Sequence, residues 1–356
     1  MKIHILSDMP RHKNNSILYP VYRWKAAMKH AGLHVKVFYK YEALQQEQGD
    51  YAIILSRYFK SWQRITTRTA QSEADVIAKL QLLKKSYSKV VWFDLSDGTG
   101  STDFDIIPYV DLFAKKQLLK DRDYYCQSHG RKSVRIWLRD DNPELKTDYD
   151  FYSPCPQADL NKLRLAWNLG MCDYRHFPSK FYVLSNYIFW SQPFKLWDAG
   201  RQYDISFRGN TNYEKTNLIS FQRNRVLEAL KVLKGNFLTG GRVTRKQYLD
   251  EVADTKICVS PFGWGEICYR DFEAFLFGCV LVKPEMSYIE TFPDIFAENK
   301  TYLPLKLDMT DTEEKLQYII DNYTTLKAIA REGQEQYKKY VTDPAPFIAN
   351  FKQMLQ

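Results

Sequence analysis

Over 356 residues the chain carries 51 Lys and Arg against 42 Asp and Glu, a net charge of +9, with 45% apolar, 26% charged and 15% aromatic residues. These proportions exclude a mostly disordered chain, and no apolar run approaches the ~18–20 residues of a membrane-spanning helix. The length implies two or three domains with a core that needs neither disulfide nor metal. The positive balance points to an anionic partner: a nucleotide, a phosphorylated or lipid-linked acceptor, a membrane surface or nucleic acid.

The first half alternates strand and helix signals. Lys2–Ser7 reads as a buried strand; its apolar run is too short for a signal peptide and lacks a small-residue cleavage site, so a cytoplasmic protein is expected. Tyr19–Ala31 follows as an amphipathic helix stopped by Gly32. Leu33–Tyr39, Tyr51–Ser56, Lys89–Asp94 and Tyr109–Ala114 read as further strands. Between them the helix Glu73–Ser86, capped by Ser72, carries Val76, Leu80 and Leu83 on one face. This rhythm predicts a parallel sheet covered on both faces, Rossmann-like although no GxGxxG follows the first strand. From Asp121 to Gly200 the signals thin out, with Ser133–Leu138 as a candidate strand, and a domain boundary is expected near Asp198–Tyr203.

The rhythm then restarts. Strands at Tyr203–Phe207, Gly235–Leu238, Ile257–Ser260 and Cys279–Val282 alternate with helices at Thr216–Leu233, Arg245–Thr255 and Arg270–Phe277, the last stopped by Gly278. Helices at Glu313–Tyr323 (capped by Thr312), Thr325–Tyr340 and Phe347–Leu355 close the chain. The expected fold class is α/β: two Rossmann-like domains in tandem, residues 1–200 and 201–335, with a cleft between them. Terminal helices over 336–356 are expected to pack back on the first domain. The six cysteines form no CxxC pair, which argues against zinc and for reduced thiols.

Ligands of open α/β sheets bind beyond the carboxyl ends of the strands. That singles out Phe207-Arg208-Gly209-Asn210, Thr239-Gly240-Gly241-Arg242, and Ser260-Pro261-Phe262-Gly263-Trp264-Gly265-Glu266 leading into Cys268-Tyr269-Arg270-Asp271-Phe272-Glu273. Glycines let backbone N–H groups approach a ligand, and a helix N-terminus with Arg270 beside it suits a diphosphate. Each loop taken singly also reads as an ordinary turn, and Arg270 with Glu273 as a surface ion pair; their recurrence after successive strands is what favours a site.

The run Val259-Ser260-Pro261, Gly265, Tyr269-Arg270-Asp271-Phe272-Glu273-Ala274-Phe275 and Gly278-Cys279-Val280-Leu281-Val282-Lys283-Pro284 resembles the donor-site signature of GT-B glycosyltransferases. It is similar in particular to their exostosin-like and spore-maturation-protein-like branches. Tyr203–Asn210 resembles the strand and loop that open the nucleotide domain there, and Arg225 matches a recurrent Arg on the following helix. The likeness covers residues 203–340. It implies transfer of a sugar from a nucleotide-sugar donor, with the diphosphate met by Arg208, Arg270 and backbone N–H groups, and with neither cofactor nor metal. Glu273 would bind ribose or sugar, and Glu266 would touch donor hydroxyls. Gly209, Arg225, Gly240, Gly241, Gly265 and Tyr269 complete the expected donor set. The bulky Phe262-Gly263-Trp264 departs from a plain Gly-rich loop.

A general base would come from the first domain: Asp97, in Asp97-Gly98-Thr99-Gly100, or Asp94 or Asp8. Asp97 also reads as a turn residue, its commoner role. Asp103-Phe104-Asp105 is a literal DxD that an acidic helix start explains better than a metal does. Arg11, His12 and Lys13 suit an anionic acceptor or plain solvation. The acceptor expected from family and charge is a bacterial surface glycan or glycolipid, lipopolysaccharide or capsule, met at the inner face of the membrane with peripheral contact. The alternatives are a phage-type enzyme acting on DNA bases and a noncatalytic nucleotide- or nucleic-acid-binding module.

Overall fold

The computed structural model describes residues 1–8, 13–63, 68–100, 102–127, 152–172, 194–209 and 218–356. Arg11, His12, Asn210 and the candidate strand Ser133–Leu138 lie outside these residues.

The first part of the chain contributes β1 (Lys2–Leu6), β2 (His34–Phe38), β3 (Gly49–Leu55), β4 (Tyr87–Asp94), β5 (Thr102–Asp103), β6 (Leu112–Lys115), β7 (Gln117–Leu119), β8 (Tyr152–Ser153) and β9 (Leu163–Leu165). Six of them form one parallel sheet in the order β2-β1-β3-β4-β6-β9, while β5 and β8 pair apart from it. Alternate residues of each strand feed opposite cores, as the period of two requires. Ala52, Ile54, Val90 and Trp92 enter one core with Val76, Leu80 and Leu83. Ile53, Leu55, Val91 and Phe93 enter the other, against Trp24, Trp167, Phe347 and Phe351.

The second part contributes β10 (Tyr203–Ser206), β11 (Phe237–Leu238), β12 (Thr255–Val259), β13 (Val280–Pro284), β14 (Ile289–Thr291) and β15 (Leu303–Leu305). Five form a second parallel sheet, β11-β10-β12-β13-β15. In both sheets the second strand lies outside the first and the third on its other side. The winding direction therefore reverses between β1 and β3 and between β10 and β12, and crevices open beyond the carboxyl ends at such points.

Several local expectations shift by a turn. The helix expected over Tyr19–Ala31 is two, Tyr19–Arg23 and Lys25–His30, joined at Trp24. Helix Ala70–Leu83 is capped by Thr69 rather than Ser72, which sits one turn inside and completes a reciprocal capping box. Asp311, not Thr312, stands at the cap of Thr312–Asp321.

The two sheets are tied together. β7 pairs antiparallel with β14, and Arg122 reaches Glu290 at 2.6 Å beside that ladder. The Tyr337 hydroxyl donates to the Gly170 carbonyl at 2.7 Å. Helix Pro344–Met354 buries Phe347, Phe351 and Met354 in the core of the first sheet, with Asn350 donating to the Ala166 carbonyl. No helix of the described residues is long and apolar enough to cross a membrane.

Candidate functional site

The carboxyl ends of the two sheets meet face to face. A Cβ on Gly265 would stand 1.8 Å from the Asp97 carbonyl oxygen, so only glycine allows the loop after β12 this close to the loop after β4. One residue on, the buried Glu266 accepts through Oε2 from the Thr99 N–H at 2.8 Å and from its hydroxyl at 2.9 Å. Glu266 therefore turns to the opposite sheet's loop and seals the seam; it does not lie open toward a donor. Tyr125 supports Thr99 from behind, its hydroxyl donating to the Thr99 carbonyl at 3.2 Å.

Behind the loop stands a buried ionic frame. Lys283, on β13, donates to Asp271 Oδ2 at 2.7 Å and to the Glu266 carbonyl at 3.0 Å. Asp271 also accepts from the Cys268 N–H at 3.0 Å and from the Ser260 hydroxyl. It thus caps helix Tyr269–Phe277 and fixes the loop that leads into it. Gln222 completes the frame: it accepts from the Phe262 N–H at 2.8 Å and donates to the Leu307 carbonyl at 3.2 Å.

Arg270 points into the crevice between β10 and β12. Its donors reach the Ser260 hydroxyl at 3.3 Å, the Arg208 carbonyl at 3.3 Å and the Pro261 carbonyl at 3.2 Å. Among the described residues it forms no ion pair, and its guanidinium lies over the Phe207 ring, 5.6 Å from the centroid.

Arg208 is placed differently. It makes a two-pronged contact with Glu251, NH2 to Oε1 at 2.8 Å, and donates to the Thr239 carbonyl at 2.8 Å. The hydrogen bonds from Arg208 hold the Glu251 carboxyl below its ordinary range, so the pair stays ionised. The expected diphosphate ligand thus already has a carboxylate on its charge. Glu273 is likewise engaged: it is buried, faces Arg245 NH1 at 2.6 Å and accepts from the Tyr248 hydroxyl at 2.7 Å. Burial, then the Glu273 charge, push the Tyr248 phenol well above its ordinary value, so it remains a donor.

Arg225 lies on the outer side of helix Leu218–Val232, its side chain 47% exposed and 3.8 Å from Glu228. Arg223, which sequence reasoning missed, is the arginine of that helix beside the crevice. Its Cδ lies 3.5 Å from where a Gly209 Cβ would stand, and its NH2 3.9 Å from where a Gly263 Cβ would stand. Gly240 has φ +105, a left-handed conformation, and would put a Cβ 3.7 Å from Arg208; Gly241 faces open space. Tyr269 is 42% exposed at the helix start.

On the other wall, Asp94 and Lys115 are register partners at the ends of β4 and β6, 2.6 Å apart and buried. Burial pushes the Asp94 carboxyl up, but the Lys115 charge and the Ser96 hydrogen bonds outweigh it and hold the group below its ordinary range. Asp97 is the exposed one, its side chain at 45%, with Lys116 at 2.9 Å and Arg57 at 3.3 Å on Oδ1. Asp8 is buried just after β1. Asp105 pairs with Arg68 at 3.4 Å, and among the described residues no three His, Cys, Asp or Glu groups converge as a metal set would. All six cysteines are free thiols, and burial raises Cys258, Cys268 and Cys279.

No family model and no curated protein matches the chain, so the exostosin-like and spore-maturation-protein-like branches gain no support. Solved structures do match over the whole length. An α-glucosyltransferase in complex with UDP and a DNA containing a HMU base is 10% identical at a TM-score of 0.50, covering 100% of both chains. HepE of Anabaena in complex with UDP is 11% identical, TM-score 0.49, covering 100% of this chain and 99% of that one. BGT of phage T4 with UDP-glucose is 11% identical, TM-score 0.46, covering 100% of both. The chain has the GT-B fold: two Rossmann-like domains in tandem, a cleft between them, and helices at the C-terminus.

Proposed function

We propose that the chain is a glycosyltransferase that moves a sugar from a nucleotide-sugar donor, without a metal, to an anionic bacterial surface glycan or glycolipid. The observation that carries the reading is Arg270, a half-buried guanidinium at the switch point of the second sheet that forms no ion pair among the described residues. When the bond between the anomeric carbon and the diphosphate oxygen breaks, negative charge develops on the leaving group, and a preorganised cation lowers that barrier. The acceptor hydroxyl oxygen forms the new bond and gives its proton to a base. Asp97 is the base this reading assigns: Asp94 is committed to the buried Lys115, whereas Asp97 reaches solvent beside Gly265, oriented by Lys116 and Arg57. The remaining assignments follow the same division, residues 1–200 for the acceptor and 201–335 for the donor.

Melting curves with a panel of nucleoside mono- and diphosphates and nucleotide sugars, with and without divalent metal, test the donor half. A ligand at ~100 times its Kd adds about 2.7 kcal/mol of stability. Stabilisation by the diphosphates of one base, equal with chelator present, is expected; no shift with any of them sinks the reading. Asp97→Asn is expected to lower kcat by about a hundredfold or more with donor affinity unchanged, and an unchanged kcat removes Asp97 from the role.

A DNA acceptor is the second reading. It is favoured by the net charge of +9 and by the α-glucosyltransferase solved with DNA at a TM-score of 0.50. Duplex binding that falls steeply with salt, together with transfer onto a hydroxymethylated base, selects it over the glycan.

A further inference from the structure

We infer that Glu251 is a competing anion built into the diphosphate subsite: it holds Arg208 in the empty protein and yields it to the donor, and so sets donor affinity. This rests on the donor-site reading above. Arg208 lies just past β10, and its carbonyl accepts from Arg270 NH1 at 3.3 Å, so its backbone stands at the crevice itself. Its guanidinium is engaged by Glu251, on helix Arg245–Ala253. It gives one donor to each carboxylate oxygen and a third to the Thr239 carbonyl. Glu251 is an anion at neutral pH, because the hydrogen bonds from Arg208 hold its carboxyl below the ordinary range. A carboxylate thus occupies Arg208 with the two-pronged geometry that a phosphate takes from an arginine.

The pair is built to exchange rather than to stay. Lys283 and Asp271, the frame behind the loop, both stand at 0% exposure, whereas Arg208 and Glu251 keep 16% and 11%. Glu251 also lines a concavity of about 510 Å³ together with Tyr203, Thr244, Lys246 and Gln247. Gln247 donates to its Oε1 at 3.0 Å. A Glu251 that loses Arg208 therefore keeps a hydrogen bond and a polar side open to the surface, which spares it most of the penalty of a stranded buried charge. On the other side of the exchange, a diphosphate brings Arg208 more negative charge than one carboxylate does. Gly240 stands against the guanidinium without a side chain, and Gly241 faces open space. After transfer the same carboxylate recaptures Arg208 and loosens the nucleoside diphosphate product, a release step that often limits turnover.

The test uses inorganic pyrophosphate, which carries the diphosphate chemistry without a base or a sugar, alongside UDP and uridine, in titration calorimetry on the full chain. An arginine held away about nine-tenths of the time weakens the apparent affinity about tenfold. Glu251→Gln keeps the side chain's size and removes its charge, so it is expected to bind pyrophosphate and UDP about tenfold more tightly than wild type, with uridine unchanged. Glu251→Ala should gain at least as much, and melting curves of each variant check that it folds. Product inhibition of transfer by the nucleoside diphosphate should tighten by the same factor. In an Arg208→Gln background Glu251→Gln should gain nothing, because the competition is for Arg208. Weaker binding in the Glu251 variants overturns the inference, since it makes Glu251 a support that aims Arg208 at the ligand. Unchanged binding also overturns it. So does an equal gain with and without Arg208, which marks only the loss of a nearby negative charge. Failure of wild type and Glu251→Gln alike to bind pyrophosphate or any nucleoside diphosphate removes the donor-site reading itself.

Discussion

Arg270→Ala is expected to lower kcat for sugar transfer by about a hundred- to a thousandfold, the cost of removing one preorganised donor from a developing oxyanion. The size of the effect follows from the electrostatics around the residue. Asp271 is neutralised by Lys283, Glu273 by Arg245 and Glu251 by Arg208, whereas Arg270 forms no ion pair among the described residues and donates to carbonyl and hydroxyl oxygens. A cation compensated by dipoles keeps its field for an incoming anion, and partial burial strengthens that field. Arg270→Lys retains the charge but cannot span the Arg208 and Pro261 carbonyls at once, so it should fall between wild type and alanine. The measurement is kcat and KM for donor and acceptor, with the melting temperature as control. Acceptor KM should hold. Full transfer activity in a folded Arg270→Ala protein contradicts the role.

The strands were readable because a parallel sheet buried on both faces needs near-continuous apolar runs, and Ile53-Ile54-Leu55 and Val90-Val91-Trp92-Phe93 supply them. The edge strands Leu163–Leu165, Ile289–Thr291 and Leu303–Leu305 are three residues each, too short for any period to register. The loops of the second sheet were readable by position, from strand ends and glycines. What each charged side chain does there was not, because its partner lies far off in sequence: Arg208 finds Glu251, and Glu266 finds Thr99 across the seam. Arg223 had a signal that went unused. Ile219, Gln222, Val226, Ala229 and Leu230 form the buried stripe of their helix, and Arg223 falls on that stripe while Arg225 falls opposite.

The largest effect on stability should come from Lys283→Met, expected to cost about 3–5 kcal/mol. Lys283 and Asp271 are both fully buried, their side chains at 0% exposure and 2.7 Å apart. Removing the ammonium leaves a carboxylate in the core without its ion-pair partner, and strips the Glu266 carbonyl of its donor. Desolvation makes the intact pair worth little against an apolar pair of the same volume, so the double variant Asp271→Asn/Lys283→Met should regain most of what the single variant loses. Asparagine keeps an acceptor for the Cys268 N–H, which preserves the helix cap. Urea unfolding of the four proteins in the cycle reads the coupling directly. A single variant within about 1 kcal/mol of wild type would mean that Asp271 is not held there as a charge. The pair matters beyond stability because it positions both ends of the site at once. Through Asp271 it sets the start of the helix that carries Arg270, and through the Glu266 carbonyl it sets the loop that closes on Thr99. The double variant is therefore expected to fold with nearly native stability yet to hold the seam less firmly. A rise in the KM for both substrates, with stability restored, is the signature that separates this positioning role from a purely structural one.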